Sequence, residues 1–554
     1  MKSRAKARGQ EEETRMDEKT HRMDPEMLSM VMDTIAKLER DRLDTDTKME
    51  LDRLGEFPMD LIRFMLGPEV ALHLIFIPEA YGGLGAGAQD IAVVSERMAY
   101  MDMAVATSFL AICLGMDPLQ VGATEAQREE YIGRIAREGL IVGYGVTEPE
   151  AGSNVQALKT KAERVLDAEG RLTGYRLNGQ KQFITNGGVA ELFTILADAP
   201  DGPSFFVVEG GSEGLSAGKH EDKHGIRASN TAALILEDVV VPEEGLIGGE
   251  EGHGLKQANE VFGYTRLMVA TFGLGGGMAA LDKAIAYSKE RVQFGTTLAE
   301  KQGYTHRLLV PNAVRLEAAR AYIEETARRL DSGEEDLQVE GSISKFFATE
   351  VGDAAANDAI QALGGYGYIR EYEVEKIKRD IKITTIFEGT SEIQRSIIAM
   401  FRLRETVRSK GRYYADMAEA LEGLSGTCGG PILARAVRAL NGLVLAARKH
   451  KLTRSQHVMF LLADMMTWCE VADALCRKAA GGETGARSAD FMQAAARLFA
   501  QEALEIVHRD GLRIARGGKD VLPEAVESLQ DLHPEQAVEG YLDSMDRIAQ
   551  ELVA

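Results

Sequence analysis

The feature that most constrains this chain is an island of short β-rich runs set between two long stretches of helical pattern. Across residues 141–248, "LTGYRLNGQKQFITNGG", "AELFTILADAP", "SFFVVEG" and "AALILEDVVVPEEG" gather β-branched and aromatic residues. Gly, Asn, Asp and Pro bound each run, which is the texture of an antiparallel β domain. Before the island, "DPEMLSMVMDTIAKLERDR" spaces Met27, Met30, Met32, Ile35 and Leu38 along one helical face. From His253 the helical periodicity returns and lasts to the end of the chain. At 554 residues the chain is too long for one core, and about 150 residues per domain implies roughly three to four units.

The expected class is α+β, mainly α. A charged tail over 1–24 precedes an N-terminal helical domain over 25–140. A middle antiparallel β domain covers 141–248, a four-helix-bundle domain 249–404, and an additional helical domain 405–554. The tail carries 13 charged side chains of mixed sign and no large aliphatics beyond methionine, so it reads as disordered. In the last region two stripes, Leu461-Met465-Trp468-Ala472-Leu475-Ala479 and Met492-Ala496-Phe499-Ala503-Ile506, need a partner surface. "ILARAVRALNGLVLAARKHK" is amphipathic with a basic end. It can lie on a membrane surface or, the plainer reading, pack on the bundle or on a second subunit.

A net charge of −22 and a pI near 5.1 argue against nucleic acid as the main partner, which needs a cationic face. The four cysteines form no CxxC pair and no Cys/His metal spacing, and Cys469 and Cys476 fall where both pack inside. No metal is expected. So few cysteines fit a reducing cytosol. No uncharged apolar run reaches about 18 residues, and the N-terminus lacks a signal-type apolar region. The expected location is cytoplasmic, with peripheral contact at the inner membrane face as the alternative.

One stretch raises a chemical question. In "ITTIFEGTSEIQR" a lone carboxylate, Glu388, separates an apolar run from a helix start. Ser391 with Gln394 fits a capping box, which starts the helix just past Glu388. Ile386 and Phe387 supply apolar surroundings, and these raise a carboxylate pKa toward working pH. Gly389, without a Cβ, lets a ligand approach the backbone. Alone, "EGTS" reads equally as a solvated loop carboxylate.

It is not alone. "YGVTEPEAGSN", "NGQKQFITNGG", "KHGIRASNTAALILEDVVVP", "ERVQFGTTLAEKQ", "QALGGYGYIREYEVEKIKRD" and "IFEGTSEIQR" occur in one register. Together they resemble the acyl-CoA dehydrogenases over about 25–404, and the helical–β–helical order matches that fold. The region past Arg404 resembles the extension of the very-long-chain branch in architecture.

The resemblance implies an FAD-dependent conversion of an acyl-CoA thioester to trans-2-enoyl-CoA, as in fatty-acid β-oxidation, with electrons passed to an electron-transfer flavoprotein. It makes Glu388 the α-proton base. Some branches carry the base upstream, but the matching position is Thr265, which cannot serve. Tyr144, Val146 and Thr147 would line the flavin ring, with Phe183 against it and Thr185 bonding N5. Gly152 and Ser153 would approach the pyrophosphate and the CoA ester. On the adenine side, Arg291, Phe294 and Gln302 of one chain would meet Gln361, Gly364 and Gly365 of a neighbour, with Thr390 and Glu392 nearby. That implies a homodimer or homotetramer. "ALGGYG" also reads as a helix C-cap with glycine. Substrate contacts would be Ser153, Gly263, Arg266, Phe387 and Gly389, where Arg266 also reads as an ordinary helix-surface arginine. Gly145, Asn154, Gly263 and Phe387 depart from common family choices, which leaves chain length open with a mild lean to long or bulky chains. The alternatives are an acyl-CoA oxidase giving electrons to O₂, and a non-catalytic helical assembly or membrane-docking protein.

Overall fold

The computed structural model describes residues 22–334, 336–518 and 521–554. Residues 1–21 of the expected charged tail lie outside the described residues. At its end the expected tail is ordered: Met23 is buried and its N–H donates to Asp90 at 2.7 Å. The chain divides into two compact units, one holding residues up to Met268 with 327–334, the other Val269–Thr326 with 336–554.

In the first unit, α1 (Pro25–Arg42) starts with Asp24 as N-cap and Pro25 at its first position, a favoured start. Its apolar face is shorter than the spacing implied. Ile35 and Leu38 are buried, whereas Met27 and Met30 are exposed. Those methionines sit in the first two turns, ahead of the point where the helix meets the core. α2 (Ala88–Met101) leads into α3 (Met103–Gly122), which is apolar all round and buried along almost its whole length. α3 is long and apolar enough to cross a membrane, yet 83% of its apolar window is buried inside the protein. A helix covered on every side needs no polar face. At Gly115 a Cβ would stand 2.7 Å from Val142 Cγ1, so glycine lets α3 lie directly against the first strand.

The strands are β1 (Val142–Gly145), β2 (Lys161–Leu166), β3 (Leu172–Thr185), β4 (Leu192–Ala199), β5 (Gly202–Glu209), β6 (Leu215–Ala217) and β7 (Thr231–Pro242). They form one sheet in the order β1-β4-β2-β3-β7-β6, with β5 on β4. The pairs β2–β3, β3–β7, β4–β5 and β6–β7 are antiparallel, as the turn-bounded runs imply. β1 runs parallel to β4, with Val142 opposite Leu192, and β2 meets β4 in parallel at Lys161 and Asp198. Tyr175, Leu177, Phe193, Ile195, Phe206, Leu234 and Val241 form the sheet's core.

α4 (Gly254–Glu290) begins in the first unit and passes into the second after Met268, where the hairpin strands β8 (Val292–Gln293) and β9 (Thr296–Thr297) follow it. Next come α5 (Val310–Asp331), α6 (Gln338–Leu363) and α7 (Ser391–Arg408). α4 and α6 touch backbone to backbone: a Cβ at Gly352 would lie 2.1 Å from the Gly273 carbonyl oxygen, so glycine is required there. The C-terminal region is α8 (Arg412–Glu422), α9 (Gly430–Lys449), α10 (Gln456–Gly481), α11 (Ala489–Arg516) and α12 (Tyr541–Val553). Its stripes are buried except at Trp468 and Ile506, which are half-buried, with Trp468 stacked on Phe499 at 5.0 Å and edge-on to Phe347 at 5.3 Å. The apolar face of α9 is buried too, so the packing reading holds for that helix. All four cysteines are free and buried. Among the described residues no cluster of His, Cys, Asp and Glu could hold a metal.

Candidate active site

Glu388 occupies an unusual backbone conformation. The run before it is not extended: Lys382–Thr385 form a 3₁₀ turn, and Ile386 is half-exposed. The chain then passes through two successive left-handed residues, Glu388 at φ +52° and Gly389 at φ +93°. Glycine adopts this readily, but glutamate pays roughly 1–2 kcal/mol. A left-handed non-glycine residue persists only where the surroundings over-determine it. Here they do. The Gln394 amide donates to the carbonyls of both Glu388 (3.1 Å) and Gly389 (3.0 Å). Lys345 Nζ donates to the Gly389 carbonyl at 2.7 Å.

The expected capping box is corrected. The N-cap of α7 is Thr390, one residue earlier, whose hydroxyl accepts from the Ile393 N–H. Ser391 instead donates to Glu350, and Gln394 serves the turn rather than a cap. Gly389 is also needed locally, because a Cβ there would lie 2.6 Å from Gln394 Nε2. Phe387 and Glu388 are half-buried, and Glu392 is exposed. Hydrogen bonds from its own backbone N–H and from Thr390 hold the Glu392 carboxyl below the usual carboxylate range, with Arg395 and Lys345 adding their charge.

The first unit carries the residues expected around a flavin ring. Val146 and Thr147 follow β1, and the Gln182 N–H donates to the Thr147 carbonyl at 2.8 Å. The segments bearing Thr147 and Phe183–Thr185 therefore run side by side. Phe183 sits at a register shift in the β3–β7 ladder, at φ +59°, and the residue is 65% exposed. A bulge of this kind turns a side chain out of the sheet. Tyr144 is fixed by ring contacts to Phe205 and Phe262. Thr147 and Thr185 are half-buried, Val146 is buried, and Gly152 and Ser153 are exposed. A Cβ at Gly152 would meet nothing within 4 Å, and the same holds at Gly263. Arg266 is buried, which removes the surface-arginine reading, and Thr265 beside it is buried as well.

Beneath this face lies a buried ion pair that motif reading missed. Lys181 Nζ donates to Glu148 at 2.7 Å and to the Val146 carbonyl at 3.2 Å. Glu148 also accepts from the N–H groups of Lys159 and Thr160. Asn186, at φ +63° and fully buried, ties the end of β3 to the Ser108 carbonyl of α3. Lysines and asparagines inside turn-rich motifs look solvated in sequence. The signal available was that they recur within the same short segments as Thr147 and Thr185.

In the second unit, Arg291, Gly364 and Gly365 line one cavity of about 390 Å³ with Tyr287, Leu298 and Tyr366. The expectation set Arg291 against Gly364 and Gly365 of a neighbouring chain; within one chain they already share a groove, because β8 and the end of α6 meet there. Gly364 is the C-cap of α6 at φ +61° and ψ −134°, and a Cβ on either glycine would meet nothing within 4 Å. Phe294 tops the β8–β9 hairpin at φ +52°, next to Gly295 at φ +85°, and is 97% exposed. Two positive φ values make a tight two-residue hairpin turn. Gln361 is exposed beside the groove. Gln302 has a partner not foreseen, since its amide donates to Asp546 of α12 at 3.0 Å. An open glycine cradle rimmed by an arginine suits a pyrophosphate-bearing cofactor, and an exposed aromatic ring beside a threonine-lined strand end suits a flat heterocycle. The residues present thus fit FAD.

Comparison with known proteins agrees with this. Family models match in three consecutive blocks: the acyl-CoA dehydrogenase N-terminal domain over 25–139, the middle domain over 143–239 and the C-terminal domain over 252–403. An acyl-CoA dehydrogenase of Bacillus subtilis is 37% identical over 366 residues, covering 64% of this chain and 93% of that protein. The crystal structure of an acyl-CoA dehydrogenase complexed with FAD from Bacillus anthracis superposes with a TM-score of 0.83 at 25% identity, covering 96% of both chains. That match extends through the C-terminal helices. Butyryl-CoA dehydrogenase from Megasphaera elsdenii gives a TM-score of 0.64 at 33% identity, covering 68% of this chain and 98% of its own.

Proposed function

This chain belongs to the acyl-CoA dehydrogenase family, oxidoreductases with FAD as cofactor, and we propose that in it Glu388 is the base that removes the α-proton of the acyl-CoA. An α-proton beside a thioester is a weak acid, so the base must be aimed and the carbonyl oxygen polarised as charge builds on it. In this reading the Glu388 carboxylate takes the α-proton and the backbone N–H of Glu388 donates to the thioester oxygen. FAD, when bound, supplies the oxidising power by accepting the β-hydride at N5. Thr185 and Thr147 hold the polar edge of the ring, Phe183 covers it, and Arg291 with Gly364 and Gly365 receives the adenine side. Electrons leave to an electron-transfer flavoprotein.

The observation that carries the assignment is the left-handed Glu388, held through its carbonyl next to a left-handed glycine at the head of a helix. A solvated loop carboxylate has no need of that arrangement. Open space at Gly263 supports a long or bulky acyl chain, as in the very-long-chain branch. Phe294 and Tyr368, 97% and 83% exposed near the adenine-side groove, support cover by a second copy in a dimer or tetramer.

Glu388→Gln tests the base. The variant should retain FAD and lose flavin bleaching by acyl-CoA under anaerobic conditions; bleaching at the wild-type rate overturns the assignment. A panel of acyl-CoA thioesters of graded length and branching, scored the same way, tests the chain-length reading.

A further inference from the structure

Lys345 is a buried lysine to which neither the flavin site nor the substrate assigns a role. It lies in α6 in the sequence "SISKFFATE", the one basic residue in that stretch, and its side chain is fully buried. Its ammonium donates to the Gly389 carbonyl across 44 residues of sequence at 2.7 Å. Burying a lysine is costly unless its charge is matched; this ammonium also favours the ionised Glu392 carboxyl, which opens the helix after the turn. We infer that Lys345 is a positioning residue for the reaction: by fixing the Gly389 carbonyl it sets the left-handed turn that aims the Glu388 carboxylate. The inference rests on Glu388 being the base.

Three observations converge on the turn. Glu388 and Gly389 both have positive φ, and neither belongs to a regular element whose ladder would impose that geometry. Two side chains grip its two carbonyls from outside the turn, Lys345 from α6 and Gln394 from α7. Those donors differ in kind. Gln394 lies in the first turn of the helix that follows the base and moves with it. Lys345 lies on a separate helix whose backbone touches α4 at Gly352. Lys345 therefore references the base to the rigid α4–α6 pair, whereas Gln394 only shapes the turn. A carboxylate that must meet one particular C–H bond tolerates little error, and a displacement of about 1 Å costs on the order of 10²-fold in rate.

The test is stopped-flow flavin reduction by acyl-CoA on purified, FAD-loaded enzyme, with FAD content and substrate affinity measured on the same samples. Lys345→Met should slow flavin reduction roughly a hundredfold while FAD content and substrate affinity stay near wild type. Lys345→Arg, which keeps a charged donor, should recover part of the rate. A wild-type reduction rate in Lys345→Met overturns the inference, and so does a slow rate accompanied by an equal loss of FAD and substrate binding. Should Lys345→Met yield no FAD-loaded protein, Lys345→Gln decides: about tenfold slower reduction supports the role, and a wild-type rate removes it. Glu388→Gln is run in parallel. If that variant still bleaches at the wild-type rate, the base assignment fails; if it is dead while Lys345→Met is fast, only the positioning role fails.

Discussion

The Arg402 guanidinium reaches both carboxylate oxygens of Glu470, at 2.8 Å each, and extends a further bond to Glu340 at 2.8 Å. Arg402 is on α7, the helix that begins just after Glu388, Glu340 is on α6, and Glu470 is on α10 of the C-terminal region. All three side chains are under 10% exposed, and the Tyr414 hydroxyl also donates to Glu470. The C-terminal helices are therefore fastened to the helix that follows Glu388 by a desolvated charge cluster. Arg402→Met strands two buried carboxylates, and breaking such a pair costs about 3–5 kcal/mol. The melting temperature of the second unit should fall by roughly 10 °C. Arg402→Met combined with Glu470→Leu should recover part of that loss, since it removes one uncompensated charge. Differential scanning calorimetry of the three proteins checks this, and a single-variant melting point within about 2 °C of wild type refutes the clamp.

Gly389→Ala is expected to act on rate and stability together. A side chain at φ +93° is strained, and the new Cβ would approach Gln394 Nε2 at 2.6 Å. Relief requires Gln394 to release the carbonyls it holds. The cost should be about 1–3 kcal/mol in stability, with flavin reduction slowed more than tenfold. Chemical denaturation and single-turnover reduction on the same preparation measure both. An alanine variant of normal rate and stability would mean that the turn is not under strain.

The helical–β–helical order was readable because strands and helices repeat with different periods, and the run that forms β4 was one of the turn-bounded β-rich segments. The parallel pairing of β1 with β4 was not readable, since no local turn sets the direction of strands so far apart in sequence. After Glu388 the capping pattern pointed to Ser391, whereas the backbone makes the neighbouring Thr390 the cap of α7. Lys345, Lys181 and Arg402 look like surface cations in sequence because nothing local reports the burial of a charge. The faint signal at Lys345 is a single charge between Ile343 and Phe346-Phe347, a spacing that fits a buried face as well as an exposed one. Gln302 was placed by resemblance alone, and its bond to Asp546 depends on a C-terminal helix that shorter relatives do not match.

The adenine-side groove is tested most cleanly at a glycine that the fold itself does not need. Gly365 has no left-handed φ, and a Cβ there meets nothing. Gly365→Val should leave the stability of the FAD-free protein within about 0.5 kcal/mol of wild type while occupying the cradle. Arg291→Ala removes the cation at its rim. Both variants should emerge from gel filtration with a lowered ratio of flavin absorbance to protein absorbance. Full flavin content in both would exclude this groove from the cofactor site.

The last prediction concerns acid. Burial opposes ionisation of Glu148, but bonds from Lys181 and Thr160, the Lys181 charge and the Lys159 N–H outweigh it, so its carboxyl is held below its ordinary value of 4.5. Above pH 4.5 the carboxylate is charged in both folded and unfolded chains, and its contribution to stability is fully present. As pH falls below that point the unfolded chain takes up a proton that the folded chain refuses, so the contribution shrinks and is gone once pH passes the folded value. Glu148→Gln has no proton to take up. It should be less stable than wild type near neutral pH, by about 3–5 kcal/mol with Lys181 left buried. Its melting temperature should also change less between about pH 5 and pH 3 than that of wild type. Thermal melts of the first unit, followed by circular dichroism across that range, compare the two slopes. Parallel curves would show that Glu148 carries no acid sensitivity, and the Lys181–Glu148 ion pair would then be ordinary packing.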